Sequence, residues 1–233
     1  MNFWLTAIGC AAGSYVVGGI PFGLLAGKLK GVDIRKIGSG NVGAMNVGRI
    51  LGRRWFVAVF VMDMLKGLIP TIVAGRVLLD IAATSAPAGN VRILCWLAVA
   101  ICAVLGHNYP LFLGFRGGKG VSTSMGVALG IYPELTLPAL IGLGIWGVGV
   151  GLTRMSSVGS IAAGVMFPVL YCILPSRDGT PLLERWPYLL FAIIAALMVV
   201  VRHRANIGRI LAGTERRVGG ARPADATKSS SAT

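Results

Sequence analysis

The sequence predicts an all-α integral membrane protein, a bundle of about seven transmembrane helices, and three observations carry that expectation. Of 233 residues, 55% are hydrophobic and only 13% are charged, where a soluble domain has roughly a quarter of its residues charged. The mean hydropathy is positive. The apolar residues also fall in long runs rather than short alternating ones, which selects membrane helices over barrel strands.

The runs can be taken in order. Residues 3–26, 56–79, 92–113, 135–153, 157–175 and 187–202 each come near the roughly 20 residues that cross a bilayer. A shorter run at 121–132 stops at Pro133 and reads as a short span or a re-entrant piece, so the count is seven, or six without it. With seven spans, one side receives Lys28, Lys30, Arg35, Lys36, Arg49, Arg53, Arg54, Arg116, Lys119, Arg154 and the seven basic residues from Arg202 onward. That is seventeen of the 22 Lys and Arg. Arg76, Arg92, Arg177 and Arg185 face the other side, and Lys66 lies within a span. The positive-inside rule then places the N-terminus outside and the C-terminus in the cytoplasm. The net charge of +14 is accounted for by topology and lipid headgroups, not by nucleic acid.

Cys10, Cys95, Cys102 and Cys172 sit inside apolar runs without metal-ligand spacing, so they read as core residues and no metal is expected. Residues 1–26 are read as a retained span, because no positive segment precedes them. The domain is expected over 1–218, and the Gly, Ala, Pro, Ser and Thr of 219–233 as a disordered cytoplasmic tail. Gly126 with Gly130, and Gly147 with Gly151, have the small-xxx-small spacing of helix packing.

Four groups of residues carry chemistry. Gly38-Ser39-Gly40-Asn41-Val42-Gly43 matches a dinucleotide fingerprint, with Asp63 twenty residues on. The required βαβ context is missing and Asp63 lies in a predicted span, so that reading fails. What remains is glycine backbone able to approach an anion, with Ser39 and Asn41 as donors and Arg49 as a planar fork for phosphate. An ordinary interfacial turn is the alternative. Asp63 and Lys66 stand at i, i+3 and can pair, either holding the bundle or touching substrate. Gly117-Gly118-Lys119-Gly120 lacks the Gly and Ser/Thr positions of a nucleoside-triphosphate loop but suits a phosphate cradle. His107, just before it, reads as a core histidine or a site residue. Residues 202–217 are expected to continue the last helix into the cytoplasm, with His203, Asn206 and Arg209 on one face and Glu215 paired with nearby arginines. Ser156, Ser157 and Ser160 read as helix-capping residues.

Together these motifs resemble the bacterial membrane glycerol-3-phosphate acyltransferases that use acyl phosphate as donor. The matching stretches are Gly38-Ser39-Gly40-Asn41-Val42-Gly43-Ala44-Met45-Asn46 with Arg49, Asp63 … Lys66-Gly67, Gly106-His107 … Gly117-Gly118-Lys119-Gly120, and Arg202-His203-Arg204 … Asn206-Ile207 … Arg209 … Gly213-Thr214-Glu215. Met45 departs from the family, which usually has Thr there. The resemblance implies acyl transfer from acyl phosphate to the sn-1 hydroxyl of glycerol 3-phosphate, giving lysophosphatidate and phosphate, in the bacterial inner membrane with the site on the cytoplasmic side; nothing in the sequence requires more than a monomer. It implies Ser39, Arg49, Lys119, His203 and Asn206 as catalytic residues. Gly38, Gly40, Asn41, Asn46, Lys66, His107, Gly117, Gly118 and Gly120 would contact substrate, Asp63 and Glu215 would be structural, and no cofactor is implied.

Acyl phosphate is already activated, so direct attack by the acceptor hydroxyl suffices. A Ser39 acyl-enzyme activated by His203 is the alternative route. Acyltransfer by a His followed five residues later by Asp is excluded, since Phe112 and Gly208 occupy those places after His107 and His203. The rival from another class is a transporter of an organic phosphate, with Asp63 and Lys66 on its pathway. The two related halves common in transporters are not evident in the sequence.

Overall fold

A computed structural model describes residues 2–81, 87, 89–176 and 178–219. The expected tail lies outside the described residues from 220 onward, as do Arg177, Arg222 and Lys228 of the charge count. Among the described residues there are ten α-helices and no strand. The chain is an integral membrane protein.

The first apolar run forms α1 (Phe3–Gly18), whose start is fixed by the Asn2 side chain accepting from the Trp4 and Leu5 N–H groups. Pro21 then breaks the helix, and α2 (Phe22–Leu29) resumes at once. After a loop, α3 (Ala44–Leu51) leads into α4 (Arg53–Gly75), which continues as a wider π turn over Arg76–Ile81. Next come α5 (Asn90–Asn108), α6 (Val121–Gly130), α7 (Thr136–Thr153), α8 (Ser156–Ile173), α9 (Trp186–Arg202) and α10 (Arg204–Leu211).

Among the described residues five stretches are long and apolar enough to cross a membrane, Phe3–Leu29, Arg53–Leu79, Asn90–Leu113, Thr136–Thr153 and Ser156–Ile173. The α9–α10 pair makes a sixth, bent by 57°. The expected continuation of the last helix is therefore corrected: it breaks at His203. The short run at 121–132 gives a helix of ten residues, about 15 Å long against the roughly 30 Å of a hydrocarbon core. Even so, α6 connects the two ends of the bundle. Lys119, just before it, bonds Asn206 in α10 at 2.6 Å, and Glu134, just after it, pairs with Arg185 at the start of α9 at 3.5 Å. The described residues thus give five or six spans, with α6 as a short helix packed beside them.

Without a hydrophobic drive between helices in lipid, close approach depends on small residues. A Cβ on Gly18 would collide with the Ala103 carbonyl, and one on Gly106 with the Tyr15 carbonyl, so α1 lies directly on α5. In the same way Gly67 abuts Thr123 and Gly126 abuts Met64, which seats α6 on α4. Gly130 packs on Thr71, but the expected role of Gly147 and Gly151 is not realised. A Cβ on either meets nothing within 4 Å, and it is Gly149 that packs, against Gly159 of α8. The spacing was right and the face was wrong.

The break at Pro21 has a further use. It leaves the Ile20 carbonyl outside any helix, and Lys66 Nζ donates to it at 2.7 Å. Lys66 also pairs with Asp63 at 2.7 Å, and both side chains are almost fully buried. His107 Nδ1 of α5 stands 3.6 Å from the same carboxylate. This cluster joins α4, α5 and the α1–α2 break where lipid could not solvate any of its members.

Gly126→Leu should therefore lower stability by about 1–3 kcal/mol through overpacking, read as a lower melting temperature in detergent. Gly147→Leu, into open space, should leave the melting temperature nearly unchanged.

Candidate functional site

Each expected site loop takes a definite shape. In the loop before α3, the Asn46 side chain is 2% exposed and fills the turn from inside. Its Nδ2 donates to the Ile34 and Ile37 carbonyls at 3.0 and 3.2 Å, and its Oδ1 accepts from the Ser39 N–H at 2.8 Å. Asn46 thus shapes the loop with the same atoms it would need for a phosphate. Gly38 sits over it at φ 65°, a left-handed conformation that suits glycine. Ser39 and Asn41 face the main cavity beside Met45 and Arg49, whereas Gly38 and Gly40 do not line it. Arg49 Nε is buried without a hydrogen-bond partner among the described residues. Burial, with Arg216 nearby, holds this guanidinium below its ordinary pKa.

The glycine loop before α6 differs from the expected cradle. The Gly117 N–H donates to the Asn108 carbonyl at 3.2 Å and the Gly118 N–H to the His107 carbonyl at 3.0 Å. These bonds serve the end of α5, and a Cβ on Gly118 would strike the His107 ring. Both glycine carbonyls accept from Arg202 of α9. Its guanidinium also lies over the Tyr109 ring, 4.8 Å from the centroid. The pair Gly117-Gly118 is a packing device, and the groups it presents to the cavity are Lys119 and Gly120. Gly120, at φ 81°, turns the chain into α6. The N–H groups of the first turn of α6 have no intrahelical partner, so this terminus and Lys119 together favour an anion.

At the bend between α9 and α10, His203 is 2% exposed. Its Nδ1 lies 2.8 Å from the Val199 carbonyl. A carbonyl only accepts, so Nδ1 carries the proton and Nε2 keeps a lone pair when the ring is neutral. No hydrogen bond joins His203 to Ser39 among the described residues. From Asn206 a chain of bonds runs through the site. Lys119 Nζ donates to Asn206 Oδ1 at 2.6 Å, Asn206 Nδ2 donates to Glu215 Oε1 at 2.6 Å, and Arg209 Nε donates to Glu215 Oε2 at 2.8 Å. Ser157 Oγ also donates to Glu215 Oε1, at 2.7 Å. Burial works to raise the Glu215 pKa, but the hydrogen bonds from Ser157, Asn206 and Arg209 outweigh it and hold the carboxylate below its ordinary range. Burial lowers the Lys119 pKa to about 8, with Arg209, Arg49 and Arg202 adding to the fall against the pull of Glu215.

The capping role expected for the serines of α8 is corrected here. Met155 is the N-cap and no side chain caps the helix. Ser157 instead holds the C-terminal segment through Glu215, while the Val218 N–H donates to the Arg154 carbonyl at 2.6 Å.

These groups ring a cavity of about 370 Å³, within the roughly 300–1,000 Å³ of small-molecule sites. Its lining falls into two parts. One is polar, with Ser39, Arg49, Lys119, His203, Asn206, Arg209 and Glu215. The other is apolar, with Phe60, Ala128, Ala139, Gly142, Phe167, Phe191 and Ala195 from five helices. Asp63 and His107 reach its edge, but Lys66 does not. The structure thus brings all five expected catalytic residues to one cavity and leaves Lys66 in the buried cluster behind it. Arg202, Arg209 and Ser157 also line it and were not singled out as site residues. Arg202 and Arg209 stand in the basic segment, Arg209 on the face of His203 and Asn206, whereas the sequence marks Ser157 only as a helix cap.

An anion-attracting mouth opening onto an apolar arm, inside a helical membrane bundle, defines a site for an amphipathic phosphate. Residues 8–213 match the family described as glycerol-3-phosphate acyltransferase. A relative of that name from Geobacter sulfurreducens is 43% identical over 207 residues, covering 88% of this chain and 93% of its own. One from Synechococcus elongatus is 40% identical over 218 residues, covering 92% and 96%. Among solved structures, the glycerol 3-phosphate form of PlsY (YgiH), described as an integral membrane glycerol 3-phosphate acyltransferase, superimposes with a TM-score of 0.76 at 37% identity, over 91% of this chain and 96% of that one. Its lysophosphatidic acid form gives 0.74 at 36% identity, over 91% and 95%. The chain belongs to the glycerol-3-phosphate acyltransferase family.

Ser157→Ala removes a buried donor from a carboxylate, a bond of about 1.5–3 kcal/mol. Thermal unfolding in detergent should show that loss, and an unchanged melting temperature would mean that the Ser157 bond does not hold the C-terminal segment, which Asn206 and Arg209 also reach through Glu215.

Proposed function

We propose that this protein transfers an acyl group from acyl phosphate to the sn-1 hydroxyl of glycerol 3-phosphate. The products are 1-acyl-glycerol 3-phosphate (lysophosphatidate) and inorganic phosphate, and the step is the first acylation of phospholipid biosynthesis. The protein works as a monomer in a bacterial inner membrane, with the site facing the cytoplasm. The observation that carries this reading is the cavity, whose cationic mouth and apolar arm match the two halves of an acyl phosphate. The basic residues gathered at that mouth favour the cytoplasmic side.

In this reading the acceptor oxygen attacks the acyl carbon, and the bond from that carbon to the phosphate oxygen breaks. The hydroxyl proton passes to His203 Nε2 or to a phosphate oxygen of the donor. Lys119, Arg49 and the N-terminus of α6 hold the phosphates and offset charge developing on the acyl oxygen. Asn206, fixed by Glu215, keeps Lys119 pointed into the cavity. An acyl-enzyme would need Ser39 hydrogen-bonded to its base. His203 makes no hydrogen bond to Ser39 among the described residues, and this favours direct attack; its Val199 bond engages Nδ1 and leaves Nε2 free.

The test offers purified protein glycerol 3-phosphate with acyl phosphate, acyl-CoA or acyl-carrier protein in turn. Lysophosphatidate formed from acyl phosphate alone is expected. No transfer from any donor by folded protein would overturn the proposal. Lys119→Ala should cost about a hundredfold or more in rate, the scale of removing one donor from a developing oxyanion.

The pH profile follows from Lys119. Its ammonium is charged below about 8 and neutral above, so kcat/KM should fall as pH rises through about 8, the value for the free enzyme. Lys119→Arg should move that fall to higher pH, because a guanidinium stays charged there.

A further inference from the structure

The apolar arm has a gap in its wall that no side chain fills. Gly142, in the second turn of α7, is buried and lines the cavity, yet among the described residues a Cβ built on it meets no atom within 4 Å. Glycines elsewhere in the bundle core behave differently: a Cβ on Gly126 or Gly67 would run into a neighbouring carbonyl. Gly142 is therefore not needed for helix contact. In a helix interior glycine is less favourable than alanine, and what it leaves here is open cavity.

Its depth can be read from the helix contacts. Gly149 of α7 lies against Gly159 of α8, and Gly164 of α8 against Val199 of α9. Following the antiparallel helices puts Gly142 level with residues 195–197 of α9, some seven residues from His203, or about 10 Å at 1.5 Å per residue. The arm continues past it to Ala139 and to Phe191, the latter about 18 Å from His203 by the same rise. An extended carbon chain with bonds near 1.5 Å advances about 1.25 Å per atom. The arm therefore accepts roughly fourteen carbons in its full depth and about eight before Gly142.

We propose that Gly142 is a specificity-determining residue that sets acyl-chain length, its missing side chain being what lets the distal half of a long chain pass toward Ala139 and Phe191. This rests on the acyl-transfer reading of the cavity above. A leucine at 142 projects into the arm and closes it beyond about the eighth carbon. Each methylene then denied its buried place forfeits about 0.8 kcal/mol of apolar burial, roughly a fourfold loss.

The test compares kcat/KM for octanoyl and palmitoyl phosphate in the full-length protein and in Gly142→Ala, Gly142→Leu and Gly144→Leu. Gly144 is on the same helix, exposed, outside the cavity and equally free of neighbours, so it controls for the effect of leucine on the helix. Gly142→Leu should lower the palmitoyl-to-octanoyl ratio at least tenfold, Gly142→Ala by less, and Gly144→Leu not at all. An unchanged ratio in an active Gly142→Leu enzyme would overturn the inference. So would equal loss at both lengths in folded protein, which would place Gly142 at the chemistry instead. If the unmodified protein uses neither acyl phosphate, the acyl-transfer reading itself fails, an outcome distinct from either.

Discussion

The bond from Lys119 to Asn206 is the contact on which the site depends. It joins two segments separated by 87 positions, one closing α5 and opening α6, the other just past the bend of α9. A lysine in such a place sits among arginines, and its charge survives because Asn206 is itself held by Glu215. Glu215 in turn is fixed by Ser157 and Arg209. Removing any member leaves a polar group in a poorly solvated setting, where an unmade bond costs more than a made one contributes. The network therefore specifies one arrangement of α6, α8 and α10, and the cavity mouth is the space it leaves.

Behind that mouth a second polar cluster, Asp63 with Lys66 and His107, performs a different task. Lys66 pairs with Asp63 and donates to the Ile20 carbonyl, and His107 stands beside the same carboxylate, so the cluster fixes helices rather than offering free donors. Two polar clusters thus divide the work, the outer one cationic and open to a ligand, the inner one an ion pair closed around its own carboxylate. The small residues between helices make both possible, since α1 on α5 and α4 on α6 approach to backbone contact.

Much of this was legible in the sequence. Long apolar runs gave the helices, the distribution of Lys and Arg gave the polar end, and the residues of four separated motifs converge on one cavity. The missed features are those where one residue type serves two purposes. Gly117-Gly118 reads equally as a phosphate cradle and as a packing surface for His107, and only the partners of their N–H groups separate the two. Asn46 is a donor in either role, but its amide closes the loop on itself. The 57° bend at His203 has no proline or glycine to announce it. Ser157 reads as a cap because its partner, Glu215, is 58 residues away. Spacing along α7 likewise could not tell that Gly147 faces outward while Gly142 faces the cavity.

The central claim is that the outer cluster receives the phosphate of the substrate and the apolar arm receives the acyl chain. A crystal structure of the protein in lipid, soaked with glycerol 3-phosphate and a non-hydrolysable acyl phosphonate, tests it most directly. The account predicts phosphate density between Lys119, Arg49 and the first turn of α6, with the acyl chain running past Gly142 toward Phe191. Phosphate bound at Lys66, or an acyl chain on the outer surface of the bundle, would contradict it.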